Sequence, residues 1–292
     1  MKERLEPLIA ERAPWLVAPK LLPRSARYAL DKILSYDAAV SLADDLASEA
    51  AGDVMDIVAA RLAKNIQITG LEHVPSKGAA LIVANHPTGI SDGIMLWHVL
   101  SRIRSDIFFY ANSDILRVLP QMHDLIAPVE WRHDKRTHTK TRETMLYTRS
   151  AFDAGKLGVI FPSGRLAKRR GLTLHERPWM TSAATLARKF ELPVVPINIQ
   201  ARNSGIFYLF DLIHPTLRDI TLFHETLNKA HQPFRIAIGR PIFPASLPAD
   251  ADKATEAIRY ATLDAGNPRV TGRPVSKTAT LHWIRTLSQR LI

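Results

Sequence analysis

The run Gly78-Ala79-Ala80-Leu81-Ile82-Val83-Ala84 carries no polar side chain on either face of an extended chain. A strand apolar on both sides must be covered on both sides, which is the place of a central strand between two layers of helix. The run stops at the polar turn Asn85-His86-Pro87-Thr88-Gly89-Ile90-Ser91-Asp92-Gly93, and an apolar helix start follows at Ile94-Met95-Leu96-Trp97. A strand ending in His, then a turn, then a helix opening on Asp aims two titratable groups at one spot. That arrangement suits a general base with its orienting carboxylate. A lone histidine at a strand end is more often a hydrogen-bonded turn residue, so the surroundings of His86 decide its meaning.

Strand patterns recur at residues 66–70, 106–110, 125–129, 157–161, 194–199 and 234–239, separated by helical patterns over 94–104, 115–119, 141–153 and 179–190. Strands alternating with helices predict an α/β fold, a mostly parallel or mixed central sheet with helices on both faces. In such sheets, sites form at the carboxyl ends of strands. The His86 turn and the turn Pro162-Ser163-Gly164-Arg165 both occupy that position.

This core is expected over residues 64–248. Residues 1–63 read as an N-terminal helical segment, in which 38–62 form one long amphipathic helix. Leu46, Ala50, Val54, Ile57, Val58 and Leu62 fall on one face, and Asp44, Asp45, Glu49, Asp53 and Asp56 lie mostly on the other. The proline-broken stretch 14–24, with Arg24, Arg27 and Lys32, fits either a membrane interface or an arm packed on its own domain. Residues 249–292 read as a C-terminal helical extension, with helices near 252–263 and 276–291.

Composition narrows the chemistry. The 292 residues include no Cys, which excludes a disulfide framework, thiolate metal sites and a cysteine nucleophile. The formal charge is +11, and eleven Lys and Arg against four acids between Glu130 and Arg170 give that stretch a local net of +7. A field of that sign favours phosphate groups, anionic lipid or nucleic acid. No apolar run approaches the ~18–20 residues of a spanning helix, and the first residues lack the apolar centre of a signal peptide. The expectation is a cytoplasmic protein, peripheral to the inner face of the membrane. His133 and His138 face each other poorly on a helix and no H-E-x-x-H occurs, so no metal site is expected.

Four blocks in one order give His86 its context. Gly70-Leu71-Glu72-His73-Val74-Pro75, running into Leu81–Ala84 and Asn85-His86-Pro87, resembles the first block of the glycerolipid acyltransferase superfamily, which has Asn-His followed by Asp, usually as H-x4-D. Phe161-Pro162-Ser163-Gly164-Arg165 is similar to its F-P-E-G-[TS]-R block, and Leu192-Pro193-Val194-Val195-Pro196-Ile197 to its V-P-[VI]-[VI]-P block. Ile238-Gly239-Arg240-Pro241-Ile242 matches the I-G-x-P-[IL] element that follows. The resemblance spans about 66–244. Here the pair is H-x5-D, with Gly89 and Ser91 available to absorb the extra residue; Ser163 stands where Glu is usual; and Arg165 follows Gly164 directly.

The resemblance implies acyl transfer from an acyl thioester, carried by coenzyme A or acyl carrier protein, to a hydroxyl of a lipid or glycerol-phosphate acceptor, with no cofactor. His86 would take the hydroxyl proton, and Asp92 would hold the imidazole's tautomer. Asn85 supports the turn, and a donor near Gly164 would face the oxyanion. Ser163, Gly164 and Arg165, with Arg132 or Lys135 and Arg136, would hold the acceptor's phosphate. Lys168, Arg169 and Arg170 would add to that site, or bind coenzyme A phosphates or the acidic face of acyl carrier protein, or simply form an exposed loop.

Two other classes compete. Ser163 as an acyl-enzyme nucleophile lacks the G-x-S-x-G elbow. A non-catalytic protein could bind anionic membrane through the basic stretch. Nucleic acid is not expected, because aromatics are not interleaved with the basic run beyond Trp131 and Tyr147.

Overall fold

The doubly apolar run lies inside a seven-stranded sheet. A computed structural model describes residues 1–17, 27–28, 30–32, 34–130, 137–171 and 173–267. Helices α1 (Lys2–Arg12), α2 (Tyr36–Asp45) and α3 (Ala51–Leu62) precede the sheet. There follow β1 (Ile66–Thr69), β2 (Ala80–Ala84), α4 (Ile90–Leu100), β3 (Ile107–Asn112), α5 (Asp114–Val118), β4 (Ile126–Val129), α6 (His138–Asp153) and β5 (Leu157–Ile160). A hairpin of β6 (Lys168–Arg170) and β7 (Thr173–His175) leads to α7 (Ser182–Lys189) and β8 (Val194–Gln200). Then come α8 (Gly205–Ile213), α9 (Pro215–Ile220), α10 (Leu222–Leu227), β9 (Phe234–Ile238) and α11 (Ala251–Ala265).

The strand order is β1-β9-β8-β2-β5-β3-β4. β2 pairs in parallel with β5 on one side and β8 on the other. All five of its residues are buried, and the strand period of two sends them alternately to two cores. Ala80, Ile82 and Ala84 pack with Val54, Val58, Met95 and Leu96 of α3 and α4, while Leu81 and Val83 pack with Phe108, Phe152, Ala184 and Ile258 on the other face. Each fully buried Ile, Leu or Val contributes roughly 1.5–3 kcal/mol, so this strand resists any register slip. The sheet is mixed, because β8 and β9 run antiparallel while every other pairing is parallel.

The expected single helix over 38–62 is two helices, α2 and α3, joined by a turn through 46–50. The acids Asp44 and Asp45 sit at the carboxyl end of α2, where the helix dipole opposes negative charge, and Asp53 falls in the first turn of α3, where the dipole favours it. Val54, Val58 and Leu62 are buried as the amphipathic pattern predicts, but Ala50 is exposed at the break. The expected helix near 276–291 lies outside the described residues. Among the described residues no helix is long and apolar enough to cross a membrane.

Two glycines of the sequence blocks serve the sheet's far edge. Gly70 has φ +76, and a Cβ there would fall 2.1 Å from the Ile238 carbonyl oxygen. Gly239 donates its N–H to the Pro196 carbonyl at 2.8 Å, and a Cβ there would meet the Pro196 ring at 2.9 Å. The first block and the I-G-x-P element thus close β1, β8 and β9 together.

Candidate active site

The chain leaves the sheet after Ala84, but Asn85 keeps hold of it. Its amide Nδ2 donates to the Ile199 carbonyl at 2.9 Å, and its Oδ1 accepts from the Ile199 N–H at 2.7 Å. The side chain therefore continues the β2–β8 pairing past the last strand residue. The backbone then turns through Gly89 at φ +95, a conformation open to glycine, and enters α4.

Asp92, the third residue of α4, folds its carboxylate back over that turn. Oδ2 accepts from the Thr88 N–H at 2.8 Å and the Gly89 N–H at 2.9 Å, and Oδ1 from the Thr88 hydroxyl at 2.5 Å. A fully buried carboxylate needs such donors, and the helix amino terminus adds its dipole. The residue that makes the spacing H-x5-D lies in a turn whose amides already bind Asp92. His86 Nδ1 lies 2.9 Å from Asp92 Oδ2, close but off the line of a well-aligned hydrogen bond. Nδ1 is itself buried, so the 19% exposure of the imidazole belongs to the rest of the ring, Nε2 included.

The β5 turn holds the other side of His86. The ring of Phe161 stacks on the imidazole with centroids 4.2 Å apart and planes 26° off parallel. The Ala167 N–H donates to the His86 carbonyl at 2.9 Å, so the chain entering the β6–β7 hairpin is tied to the same residue. The His86 N–H donates to Glu176 Oε1 at 3.0 Å, and the Trp179 indole donates to Glu176 Oε2 at 3.1 Å. Burial pushes the Glu176 carboxyl above its usual range, against the pull of these donors and of His86. The Phe161–Arg165 turn lacks a carboxylate because Ser163 replaces Glu; Glu176 brings one to His86 from thirteen residues further along the chain.

Beyond Asp92 sits a buried ion pair. Lys229 Nζ donates to Glu225 Oε2 at 2.8 Å, with both side chains almost wholly inaccessible. Lys229 also donates to the Arg202 carbonyl at 3.2 Å, and Glu225 accepts from the Ser204 N–H at 2.8 Å and from its hydroxyl. Desolvation lowers the Lys229 pKa, while Glu225 and Asp92 oppose that shift. The ammonium thus balances the carboxylate of Asp92 as well as its own partner.

The remaining sequence candidates divide. The Ser163 hydroxyl donates to the Arg165 carbonyl at 2.8 Å, within its own turn. The Gly164 N–H, expected near an oxyanion, donates instead to the Phe161 carbonyl at 2.9 Å, closing the turn that Gly164 makes at φ +57. Arg165 is exposed beside it, and Lys168, Arg169 and Arg170 line the exposed strand β6. Arg132, Lys135 and Arg136 lie outside the described residues. Thr88, Glu176, Glu225 and Lys229 escaped the sequence reading. Thr88 lies inside the motif, where the spacing gives it no role of its own, and the others reach the site across long stretches of chain that no local spacing reports.

Residues 65–200 match the family model described as Acyltransferase. A lyso-glycine lipid O-acyltransferase of Phocaeicola vulgatus is 26% identical over 76% of this chain and 80% of its own length. The lyso-glycine lipid O-acyltransferase of Bacteroides thetaiotaomicron is 23% identical over 76% of this chain and 82% of its own. The crystal structure of the 1-acyl-sn-glycerophosphate acyltransferase PlsC from Thermotoga maritima is similar at 13% identity, covering 76% of this chain and 82% of that one with a TM-score of 0.48. The matched span runs from the start of the sheet to the end of β8 and includes the His86 turn, the Phe161 turn and the Glu176 contact, so the likeness to the Acyltransferase family falls on the part of the chain that builds the candidate site.

Proposed function

We propose that this chain moves a fatty acyl group from an acyl thioester to a hydroxyl of a lysolipid with an anionic headgroup, by general-base catalysis at His86. The observation that carries the reading is the buried Asp92 carboxylate, fixed by three donors of its own turn and 2.9 Å from His86 Nδ1. Asp92 keeps the proton of the neutral ring on Nδ1 and leaves Nε2 to accept one. Nε2 takes the acceptor's hydroxyl proton as that oxygen attacks the thioester carbonyl. The C–S bond then breaks, the thiolate leaves with the proton held on Nε2, and the products are an ester and a free thiol. The reaction calls on no cofactor.

Arg165 and the cations of β6, with Arg132, Lys135 and Arg136, are the proposed headgroup ligands. Guanidinium forks suit phosphate and carboxylate alike, so the matched lyso-glycine lipid enzymes and the glycerophosphate enzymes both define acceptors worth testing. The proposed working place is the inner face of the cytoplasmic membrane. The Ser163 hydroxyl, engaged with Arg165, does not favour an acyl-enzyme route.

Purified protein incubated with labelled acyl-CoA or acyl carrier protein and a panel of lyso-glycine lipid, lysophospholipids and glycerol-3-phosphate tests the reading. Thiol release coupled to ester formation is expected with one acceptor class. Unchanged thioester consumption in His86→Ala would sink the proposal.

A further inference from the structure

An exposed apolar helix stands at the rim of the candidate site. β8 runs parallel to β2, so its last residue, Gln200, lies at the same sheet edge as His86, and α8 begins at Gly205 directly beyond it. Phe207 and Tyr208 are buried, whereas Ile206, Leu209, Leu212 and Ile213 are 37%, 54%, 84% and 61% exposed. At about 100° per residue these four share one arc of roughly a third of the helix surface, and no polar side chain falls within it. The acid of α8, Asp211, is on the other side and pairs with Arg218 at 3.0 Å.

Cations border this arc. The Arg169 guanidinium lies over the Tyr208 ring, 4.9 Å from its centroid, which fastens the β6–β7 hairpin alongside α8. Lys168 and Arg170 flank Arg169 on that hairpin, and Arg202, just ahead of α8, is exposed. Among the described residues no carboxylate pairs with Lys168, Arg169 or Arg170. An exposed aliphatic cluster marks an interaction surface, and an apolar helix face edged by cations fits the headgroup–acyl boundary of an anionic bilayer. A second copy of this chain fits worse, because a two-fold contact would set the same cations against themselves.

We propose that α8 and the β6–β7 hairpin form the surface that docks on an anionic bilayer, α8 sinking Ile206, Leu209, Leu212 and Ile213 while the hairpin meets lipid phosphates. The proposal rests on the membrane placement above and names the surface that makes it. It sets the site mouth against the lipid.

Flotation of the full chain with vesicles of one part phosphatidylglycerol to two parts phosphatidylcholine, and with pure phosphatidylcholine vesicles, tests it without requiring activity. Wild type should float with the anionic vesicles and weaken with added salt. Leu209→Gln/Leu212→Gln, at positions already exposed, should lose about tenfold or more of that binding with an unchanged melting curve. A Leu212→Trp variant should show blue-shifted emission on the same vesicles. The docking surface is overturned if the double variant floats as wild type does, if the Leu212→Trp emission does not move, or if the double substitution instead dissolves a wild-type dimer in the absence of lipid. Wild type binding no vesicle overturns the membrane placement too, while thioester consumption with detergent-dispersed acceptor reads the chemistry separately.

Discussion

The main-chain N–H of His86 donates to Glu176 Oε1 at 3.0 Å while its ring faces Asp92 at 2.9 Å, so two carboxylates grip one residue from its backbone and its side chain. Asp92 acts on the imidazole, and Glu176 acts on where the imidazole is carried. The two contacts separate in experiment.

Asp92→Asn should lower kcat by about 10²–10⁴-fold, the range spanned by positioned acid–base groups, with little change in KM for the acyl donor. The amide also spoils acceptance from the Thr88 and Gly89 amides if its NH2 turns toward them, so a melting curve belongs beside the kinetics. Wild-type kcat in a folded Asp92→Asn variant would count against the assigned pairing.

Glu176 makes a pH prediction. Its carboxyl is raised above the ordinary 4.5 by burial, so the folded protein holds that proton more tightly than the unfolded chain does. The resulting stabilisation is full below about 4.5 and is lost as pH rises through the folded value. Glu176→Gln removes this dependence and leaves a pH-independent offset from the altered Trp179 contact. Melting temperatures followed from acid to neutral pH should therefore show wild type losing ground to the variant as pH rises. Parallel curves would refute the raised value.

Lys229→Met should destabilise by about 3–5 kcal/mol, because it strands the Glu225 carboxylate in a dry environment. Lys229→Met/Glu225→Leu should recover part of that loss, since no bare charge remains, although Ser204 loses its acceptor. Urea titrations of the two variants give the comparison, and equal losses would argue that the pair is not coupled.

Gly158→Ala tests the packing under β5. An added Cβ would stand 2.9 Å from the Phe108 ring and 3.0 Å from the Phe152 ring. Overpacking of this kind costs roughly 1–3 kcal/mol, read as a lowered denaturation midpoint; an unchanged midpoint would mean that the rings move aside freely.

The central strands were legible because burial on both faces selects apolar residues: Leu81–Val83, Leu157–Ile160 and Val194–Ile197 announce themselves as apolar runs. The Asn85–Asp92 turn was legible for the opposite reason, a cluster of polar and glycine residues where the pattern breaks. Other parts leave weaker traces. β6 is Lys168-Arg169-Arg170, with no apolar alternation, and is held by hairpin pairing and by Tyr208. α8 carries a single charged residue, Asp211, among apolar ones, so the sequence offers no polar face to mark which side is buried. The antiparallel fit of β9 against β8 depends on the path of α8–α10 between them, not on the strand's own residues. Glu176 reaches His86 over ninety positions of chain, and a single Glu in a loop has no pattern to show.

Asn85 carries a dynamic consequence. Its amide takes the place of a strand backbone against Ile199, so the His86 turn is spliced into the hydrogen-bond ladder of the sheet instead of hanging from it. Loops at strand ends commonly open in small excursions that cost little free energy, whereas core strands open only with the whole domain. Because the Ile199 amide is locked by Asn85, freeing His86 means breaking the ladder at its centre. His86 is thereby held as the sheet itself is held, and the β6–β7 hairpin, tied to His86 through Ala167 and to α8 through Tyr208, is anchored beside it.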